Sequence, residues 1–117
     1  MARKRLSERR WGTYLLLIKH SKEGKIWEVA SKYATISRKR LPAVNLSKIS
    51  RTCSPKDQIL VPGKVLGTGK LEHPAQIAAF SFSMSALKAI EIAGGKAMSV
   101  KQLIELNPKG KGVKIIV

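Results

Sequence analysis

A chain of 117 residues, of which 44% are hydrophobic and 5% aromatic, is long enough for one domain with a modest core. Its 23 lysines and arginines exceed its seven acidic residues so far that the formal net charge is +16, which is unusual for a soluble enzyme and favours a polyanionic partner such as nucleic acid. No apolar run approaches the ~20 residues that a membrane span requires, and the single cysteine, Cys53, excludes an internal disulfide.

The N-terminal segment carries the highest density of positive charge. Residues 1–6 form a basic tail, and the apolar run from Trp11 to Ile18 is too short, and followed too closely by lysines, for a secretory signal peptide. A mitochondrial transit peptide is a less favoured alternative. All seven arginines lie within the first 58 residues, where bidentate contacts with phosphate would use them. We therefore expect the polyanion contacts to be concentrated in this half.

Two helices are predicted between residues 7 and 36. Apolar residues recur at helical spacing in two stretches, which contain Trp11, Tyr14, Leu15 and Ile18, and then Ile26, Ala30 and Tyr33. A turn around residues 21–24 lets the two helices pair as a hairpin, with their aromatic residues in the core. Pro42 ends the helical pattern because it disfavours the α conformation at Leu41.

Short β-prone runs follow from Val44 onward: VNL, QILV, KVL and QIAAFSF. Pro62 and Gly63 have the order of a type II turn, and Gly67 with Gly69 indicates a second reversal, at which a positive φ is expected for Gly67. The stretch ILVPGKVLGTGK, residues 59–70, is therefore predicted to form two strands joined by tight turns.

The C-terminal part alternates helices with strands. Ser83 or Ser85 can cap a helix that Gly94 and Gly95 end, residues 96–98 form a short strand, and Ser99 with Gln102 has the spacing of a capping box. That second helix ends before Pro108, and VKIIV forms a last strand. This order predicts right-handed crossovers in a layered α/β core over 44–117, which together with the helical pair of 7–36 makes a single domain over 7–117.

The glycines and lysines of ILVPGKVLGTGK do not form a P-loop. The pattern GxxxxGK[ST] needs glycine five residues before Gly69, where Lys64 stands, and a hydroxyl after Lys70, where Leu71 stands. The glycines are explained by turn geometry, and neither a nucleotide cofactor nor a small-molecule substrate is expected.

Catalytic and metal sites are not predicted either. The two histidines, His20 and His73, and the scattered acids show no ligand or acid/base spacing, and no histidine stands near Cys53 in the sequence to activate it or its hydroxyl neighbours Thr52 and Ser54. The protein is therefore not expected to be an enzyme.

Clusters of basic residues are the strongest functional signal. RKR at 3–5, RR at 9–10 and RKR at 38–40 have few acids around them, and the glycines of PKGKG, at 108–112, let backbone N–H groups approach a phosphate. The residues predicted to contact RNA are Arg3, Lys4, Arg5, Arg9, Arg10, Arg38, Lys39, Arg40, Lys48, Arg51, Lys64, Lys70, Lys109 and Lys111.

Several motifs together resemble one known family. KVLGTGKL, AAFSFSMSALKAIEIAGGKA and NPKGKGV, preceded by RLPAVNLSKI, resemble a superfamily of large-ribosomal-subunit proteins that joins bacterial protein fifteen to protein eighteen of the e type from archaea and eukaryotes, over nearly the whole chain and most of all in its archaeal branch. Members often carry a further basic residue where this chain has Leu41.

The resemblance implies a cytoplasmic structural protein of the large ribosomal subunit. Its partners would be large-subunit ribosomal RNA and neighbouring ribosomal proteins. Its core would be an irregular superhelix of β, β and α segments that follows the basic helical pair. The resemblance implies no catalytic residue. A DNA-compacting chromatin protein shares the charge but usually shows a repeated or dimeric binding surface, which this sequence lacks, and an RNA-modifying enzyme would need a catalytic pocket.

Overall fold

The computed structural model describes residues 8–35, 41–54 and 57–117, with side chains from Gly12 onward. The predicted basic tail of residues 1–6 and the RKR cluster at 38–40 lie outside these residues.

The N-terminal helical pair is confirmed. Helix α1 spans Glu8–His20 and helix α2 spans Lys25–Ala34, and the two pack against each other. Leu17 of α1 is buried with Trp27, Ala30 and Ala34 of α2. The α2 residues are spaced three and four apart, so they form one face of that helix and bury it against the rest of the domain.

The five strands of the described residues lie in one parallel sheet. They are β1 Ala43–Asn45, β2 Gln58–Leu66, β3 Gln76–Phe82, β4 Lys96–Met98 and β5 Val113–Ile115, and the order β1-β2-β3-β4 is completed by β5, which also pairs with β2. Because β3 occupies one edge of β2, strands β5 and β1 share the other edge end to end, β5 beside residues 58–60 and β1 beside residues 64–66.

Helices cover both faces of this sheet. Helices α3 (Leu46–Thr52) and α4 (Met84–Ile92) bury residues in one core cluster with Ile59 and Ile77, whereas α1, α2 and α5 (Val100–Leu106) bury residues in a second cluster with Leu60 and Ala78. Adjacent strand residues point to opposite faces, so each strand contributes to both cores. The predicted layered α/β class is confirmed, and both faces are covered, as parallel sheets require.

The predicted turn at Pro62 and Gly63 is wrong, because β2 runs without interruption through both residues. The register with β3 instead shifts between Val61 and Lys64, an irregularity that tolerates a proline without an N–H donor. Gly63 lies against the backbone of Pro42, and the Lys64 N–H donates to the Pro42 carbonyl oxygen at 3.0 Å. Glycine is therefore needed here for close approach of two strands, and the pair QILV and KVL is one strand.

The predicted positive φ of Gly67 is also wrong. The glycines with positive φ are Gly69, Gly94, Gly110 and Gly112. A Cβ on Gly67 would lie 2.7 Å from the backbone N of Ala86, so this glycine is required by contact with the start of α4. The chain after Leu66 does not reverse into a hairpin, since β3 is parallel to β2.

Helix α3 is not predicted from the sequence, because the β-prone run VNL indicates a strand at its start. Only Val44 and its neighbours form a strand, β1, and a helix begins at Leu46. Leu46 and Ile49 are three residues apart and both fully buried, so the helix places them on one face against the core.

The C-terminal capping signals are confirmed. The Ser83 hydroxyl accepts from the Ala86 N–H at 3.1 Å, which decides between the two candidate caps, and the capping box of Ser99 and Gln102 is complete. Gly94 follows α4 with a φ of 79°. Strands β4 and β5 also lie where the sequence predicts them.

Candidate nucleic-acid interface

Six of the predicted RNA contacts have described side chains, and all six are exposed: Lys48, Arg51, Lys64, Lys70, Lys109 and Lys111. Arg9 and Arg10 lie in the first turn of α1, where the backbone alone is described. The remaining predicted contacts, Arg3, Lys4, Arg5, Arg38, Lys39 and Arg40, lie outside the described residues.

Four of these exposed residues lie around β1, α3 and the end of β2. Lys48 and Arg51 are on α3, Lys64 pairs with Ala43 of β1, and Lys70 is in the loop after β2. That loop runs along α3, since the Ser47 N–H donates to the Thr68 carbonyl oxygen at 3.3 Å and Gly69 lies against Ser47. Lys48 Nζ also donates to the Val117 carbonyl oxygen.

Lys109 and Lys111 lie in a different place, against the start of α2. The Trp27 indole Nε1 donates to the Pro108 carbonyl oxygen at 2.7 Å, across 81 residues of sequence. Gly24 fits beneath the same loop, since a Cβ there would lie 2.6 Å from the Lys109 carbonyl oxygen. The loop is therefore fixed on the turn between α1 and α2.

This packing places the segment that carries two further lysines against the loop. Lys22 and Lys25 flank Gly24, and both are exposed. We refer to Lys22, Lys25, Lys109 and Lys111 as the α2 lysine cluster. Sequence reasoning missed Lys22 and Lys25, because an isolated lysine on a helical pair is ordinarily a solvated surface residue. Only the Trp27 hydrogen bond shows that the segment carrying them contacts the loop of residues 108–112.

Within the described residues, no acidic side chain forms an ion pair with these four lysines. Within residues 8–35, 41–54 and 57–117, Glu23 Oε2 lies 3.0 Å from His20 Nδ1, which makes an ion pair only when the histidine is protonated, and Asp57 forms an ion pair with Lys114. Glu23 is the acid closest in sequence to the α2 lysine cluster, and its partner is the histidine. All four lysine side chains are exposed, so they are accessible to a partner.

The pair of Asp57 and Lys114 is structural. The hydrogen bond from Lys114 Nζ, at 2.9 Å, holds the pKa of the Asp57 carboxyl below its ordinary value, and the Ser54 N–H, at 2.8 Å, acts in the same direction. The same bond raises the pKa of Lys114. It ties β5 to the segment that leads into β2.

Cys53 does have a histidine neighbour, contrary to the expectation from sequence. Its Sγ lies 3.8 Å from Nε2 of His73, which also lies 3.2 Å from the Ser50 carbonyl oxygen. Burial raises the pKa of the Cys53 thiol, and the charge of Asp57 adds to the effect. A protonated thiol is a poor nucleophile, so the raised pKa does not favour a catalytic role for this pair.

Other kinds of site are not supported by the described residues. They contain no group of three or more histidine, cysteine, aspartate or glutamate side chains placed to hold a metal ion. Among them, no helix has the length and apolar character needed to cross a membrane.

The chain is similar to ribosomal proteins over most of its length. A family model that describes ribosomal proteins 50S-L15 and 50S-L18e, together with a protein of the 60S subunit, matches residues 23–98. The chain is 51% identical over 92 residues to "Large ribosomal subunit protein eL18" of Methanococcus maripaludis, covering 78% of this chain and 76% of the relative. The protein of the same name from Methanoregula boonei is 45% identical over 106 residues, 87% of each chain.

A third protein with this name supports the same assignment. The Methanothermobacter thermautotrophicus protein is 46% identical over 100 residues, which cover 84% of this chain and 82% of that one. The family match spans the second helix, α3 and the sheet up to β4, and it includes Lys25, Lys48, Lys64 and Lys70. The chain belongs to the family of ribosomal proteins that includes 50S-L15 and 50S-L18e.

Proposed function

We propose that this protein is a structural component of the large ribosomal subunit that binds ribosomal RNA and stabilises its folding during assembly. Its family and its archaeal relatives are large-subunit ribosomal proteins, which also implies location in the cytoplasmic ribosome. The observation that carries the RNA-binding part is the α2 lysine cluster, in which two segments distant in sequence present four exposed lysines with no ion pair among the described residues.

Electrostatics explains why such a cluster is suited to RNA. Each lysine that replaces counterions at a phosphate releases them to solvent, so binding gains free energy at low salt. Lysines on two adjoining backbone segments can contact two neighbouring stretches of phosphate, because the loop of residues 108–112 is fixed on α2 by the Trp27 hydrogen bond. A fixed surface of this kind holds RNA segments in a defined relation to each other.

A second group of basic residues lies at the other end of the sheet from the α2 lysine cluster. Lys64 and Lys70 lie at the end of β2, where the following loop contacts the first turn of α3, whereas Lys109 and Lys111 precede β5 at the opposite end of the strands. RNA contacts at both ends of the sheet would let the protein join separate RNA elements. The arginines of the N-terminal segments, Arg3, Arg5, Arg9, Arg10, Arg38 and Arg40, are proposed to add further phosphate contacts.

No catalytic activity is part of this proposal. The protein's contribution is binding free energy and geometry, supplied by lysines and arginines that position the RNA backbone without reading its sequence. Neighbouring ribosomal proteins are the other expected partners.

Co-sedimentation tests the assignment directly. An epitope-tagged copy expressed in the native cell should sediment with large ribosomal subunits in a sucrose gradient and should leave them when high salt removes peripheral proteins. Sedimentation with the nucleoid would favour the DNA-binding alternative.

Competition separates the same two alternatives in solution. Folded large-subunit RNA presents junctions whose shape differs from B-form DNA, so at physiological salt a large-subunit RNA fragment should compete at least about tenfold better than duplex DNA of equal charge. Equal competition would indicate a general polyanion-binding protein.

A further inference from the structure

The carboxyl ends of β3 and β4 leave an open groove in the sheet. Strand β4 pairs with β3 only as far as Met98, opposite Ala78, whereas β3 continues to Phe82. In the described part of the chain no strand pairs with residues 79–82 on the β4 side. A groove of about 300 Å³ occupies that place, and Phe80, Phe82 and Leu87 are among the side chains that line it.

The topology explains why this groove is open. Strand β3 continues into α4, whose Ala86 and Ile90 pack on one face of the sheet, whereas β4 continues into α5, whose Val100 and Leu103 pack on the other face. Two neighbouring parallel strands whose connections leave to opposite faces create a crevice at their carboxyl ends, and open α/β sheets bind their ligands at such switch points.

The lining of the groove combines flat apolar groups with polar ones. Phe80 and Phe82 are half-buried and belong to opposite core clusters, so the groove has an aromatic residue from each face of the sheet. Ser81 and Gln102 supply polar groups, and Gln102 uses its Oε1 to accept from the Ser99 N–H while its amide nitrogen forms no hydrogen bond within the described residues. A ligand that stacks and also forms hydrogen bonds suits these groups.

One lysine, Lys101, lies next to the groove. A second groove of about 350 Å³ adjoins it through Phe80 and leads along α1, with the exposed Lys101 in its lining. Among the described residues that line the two grooves there is no aspartate or glutamate. An anionic chain can therefore follow this surface, whereas the basic tail of another protein would be repelled by the net charge of +16.

We propose that the groove between β3 and β4 binds an unpaired nucleobase of RNA. The base stacks against Phe80 and Phe82 and accepts a hydrogen bond from the Gln102 amide, and its phosphate lies beside Lys101. Unstacked bases bound on aromatic side chains are the usual way in which proteins recognise single-stranded RNA. This inference rests on the proposed RNA-binding function and adds to it a site that contacts bases, which phosphate binding by the lysine groups does not provide.

The test compares RNA chains that differ only in their bases. The probes are ten-residue single-stranded RNAs of uridine, adenosine, cytidine or guanosine, together with an abasic ten-residue chain of equal charge. Binding to the full protein is measured by fluorescence anisotropy, and contacts are mapped by the NMR shifts of backbone amides. At least one base-bearing RNA should bind about fivefold or more tightly than the abasic chain and shift the amides of residues 79–82 and 97–99.

Variants then assign the difference to the groove. Phe80→Leu combined with Phe82→Leu keeps apolar volume and removes both rings, so the preference for bases should disappear while the salt dependence of binding remains. A matched variant, Met84→Leu, changes an exposed side chain that does not line the groove and should leave the preference unchanged. The amide shifts in the unaltered protein test the site even if the double variant folds poorly.

Several outcomes would overturn the inference. Equal binding of abasic and base-bearing chains, or shifts confined to the lysine groups, would show that only phosphates are bound, and the proposed function would still stand. If the unaltered protein bound none of these RNA chains, the proposed function itself would be contradicted. In native large subunits, a photoreactive benzophenone side chain in place of Leu87 should form crosslinks with RNA, and crosslinks with another protein would show that the groove is a peptide site.

Discussion

Replacing the α2 lysine cluster by glutamine tests whether the four lysines act on RNA as a group. The change Lys22→Gln, Lys25→Gln, Lys109→Gln, Lys111→Gln removes four positive charges and keeps long polar side chains at exposed positions. None of the four forms an ion pair within the described residues, so the variant should melt close to the temperature of the unaltered protein.

The expected loss of affinity follows from counterion release. Each neutralised phosphate contributes about 0.7 to 0.9 to the slope of log affinity against log salt, so four contacts contribute about 3. If all four lysines contact phosphates, affinity for a large-subunit RNA fragment falls by up to about 1,000-fold at 0.1 M salt and hardly at all near 1 M. The measurement is a titration followed by anisotropy at five salt concentrations.

Two double variants show whether both segments contact the same RNA element. Lys22→Gln with Lys25→Gln removes the helix side, and Lys109→Gln with Lys111→Gln removes the loop side. Because the Trp27 hydrogen bond fixes the loop on the helix, we expect the two losses to be coupled, so that their sum differs from the loss in the fourfold variant.

A control that removes the same number of charges as each double variant separates the effect of the α2 lysine cluster from the effect of net charge. Lys88→Gln with Lys96→Gln removes two exposed lysines elsewhere on the surface, and its slope should change by less than that of either double variant. Equal changes in all three double variants would refute the reasoning, since total charge would then explain RNA binding without any defined surface.

Three further predictions concern stability and reactivity. Gly67→Ala places a Cβ against the start of α4 and should lower the melting temperature by about 4 to 12 °C in calorimetry, whereas Gly12→Ala, which meets open space in a helix, should not lower it. Because Lys114 lowers the pKa of Asp57, this pair stabilises the fold at pH values above the pKa of the carboxyl in the unfolded chain. The difference in melting temperature between the unaltered protein and Asp57→Asn should therefore shrink below about pH 4. A constant difference down to about pH 2 would contradict this. Cys53 should react with iodoacetamide more slowly than free cysteine at pH 7, because burial raises the pKa of its thiol, and a faster reaction would indicate an activated cysteine.

Local signals in the sequence determined much of the secondary structure. The capping box at Ser99, the left-handed glycine at Gly94 and the apolar spacing of α2 act within one or two helical turns, so each could be read from a few adjacent residues. The alternation of strands and helices likewise indicated a parallel α/β fold, because a parallel connection requires a crossover. The excess of lysine and arginine indicated a polyanionic partner without any structure.

The errors occurred where a distant segment decides the local conformation. Pro62 and Gly63 have the sequence of a turn, but pairing with β1 and β3 on both sides keeps β2 extended through them, and Gly63 is needed for contact with Pro42. In the same way, Leu46 and Ile49 are too few for a clear helical pattern, and burial of both against the core stabilises α3.

The two proposed binding surfaces likewise depend partly on local sequence and partly on tertiary structure. The sequence by itself determined the total charge and pointed to Lys109 and Lys111, because glycines and lysines alternate there. Only the tertiary structure brought Lys22 and Lys25 to that loop, since the contact depends on a hydrogen bond between Trp27 and a carbonyl 81 residues away. The groove at Phe80 and Phe82 likewise exists because β4 is shorter than β3 and because the two connections leave on opposite faces, and neither relation can be read from adjacent residues.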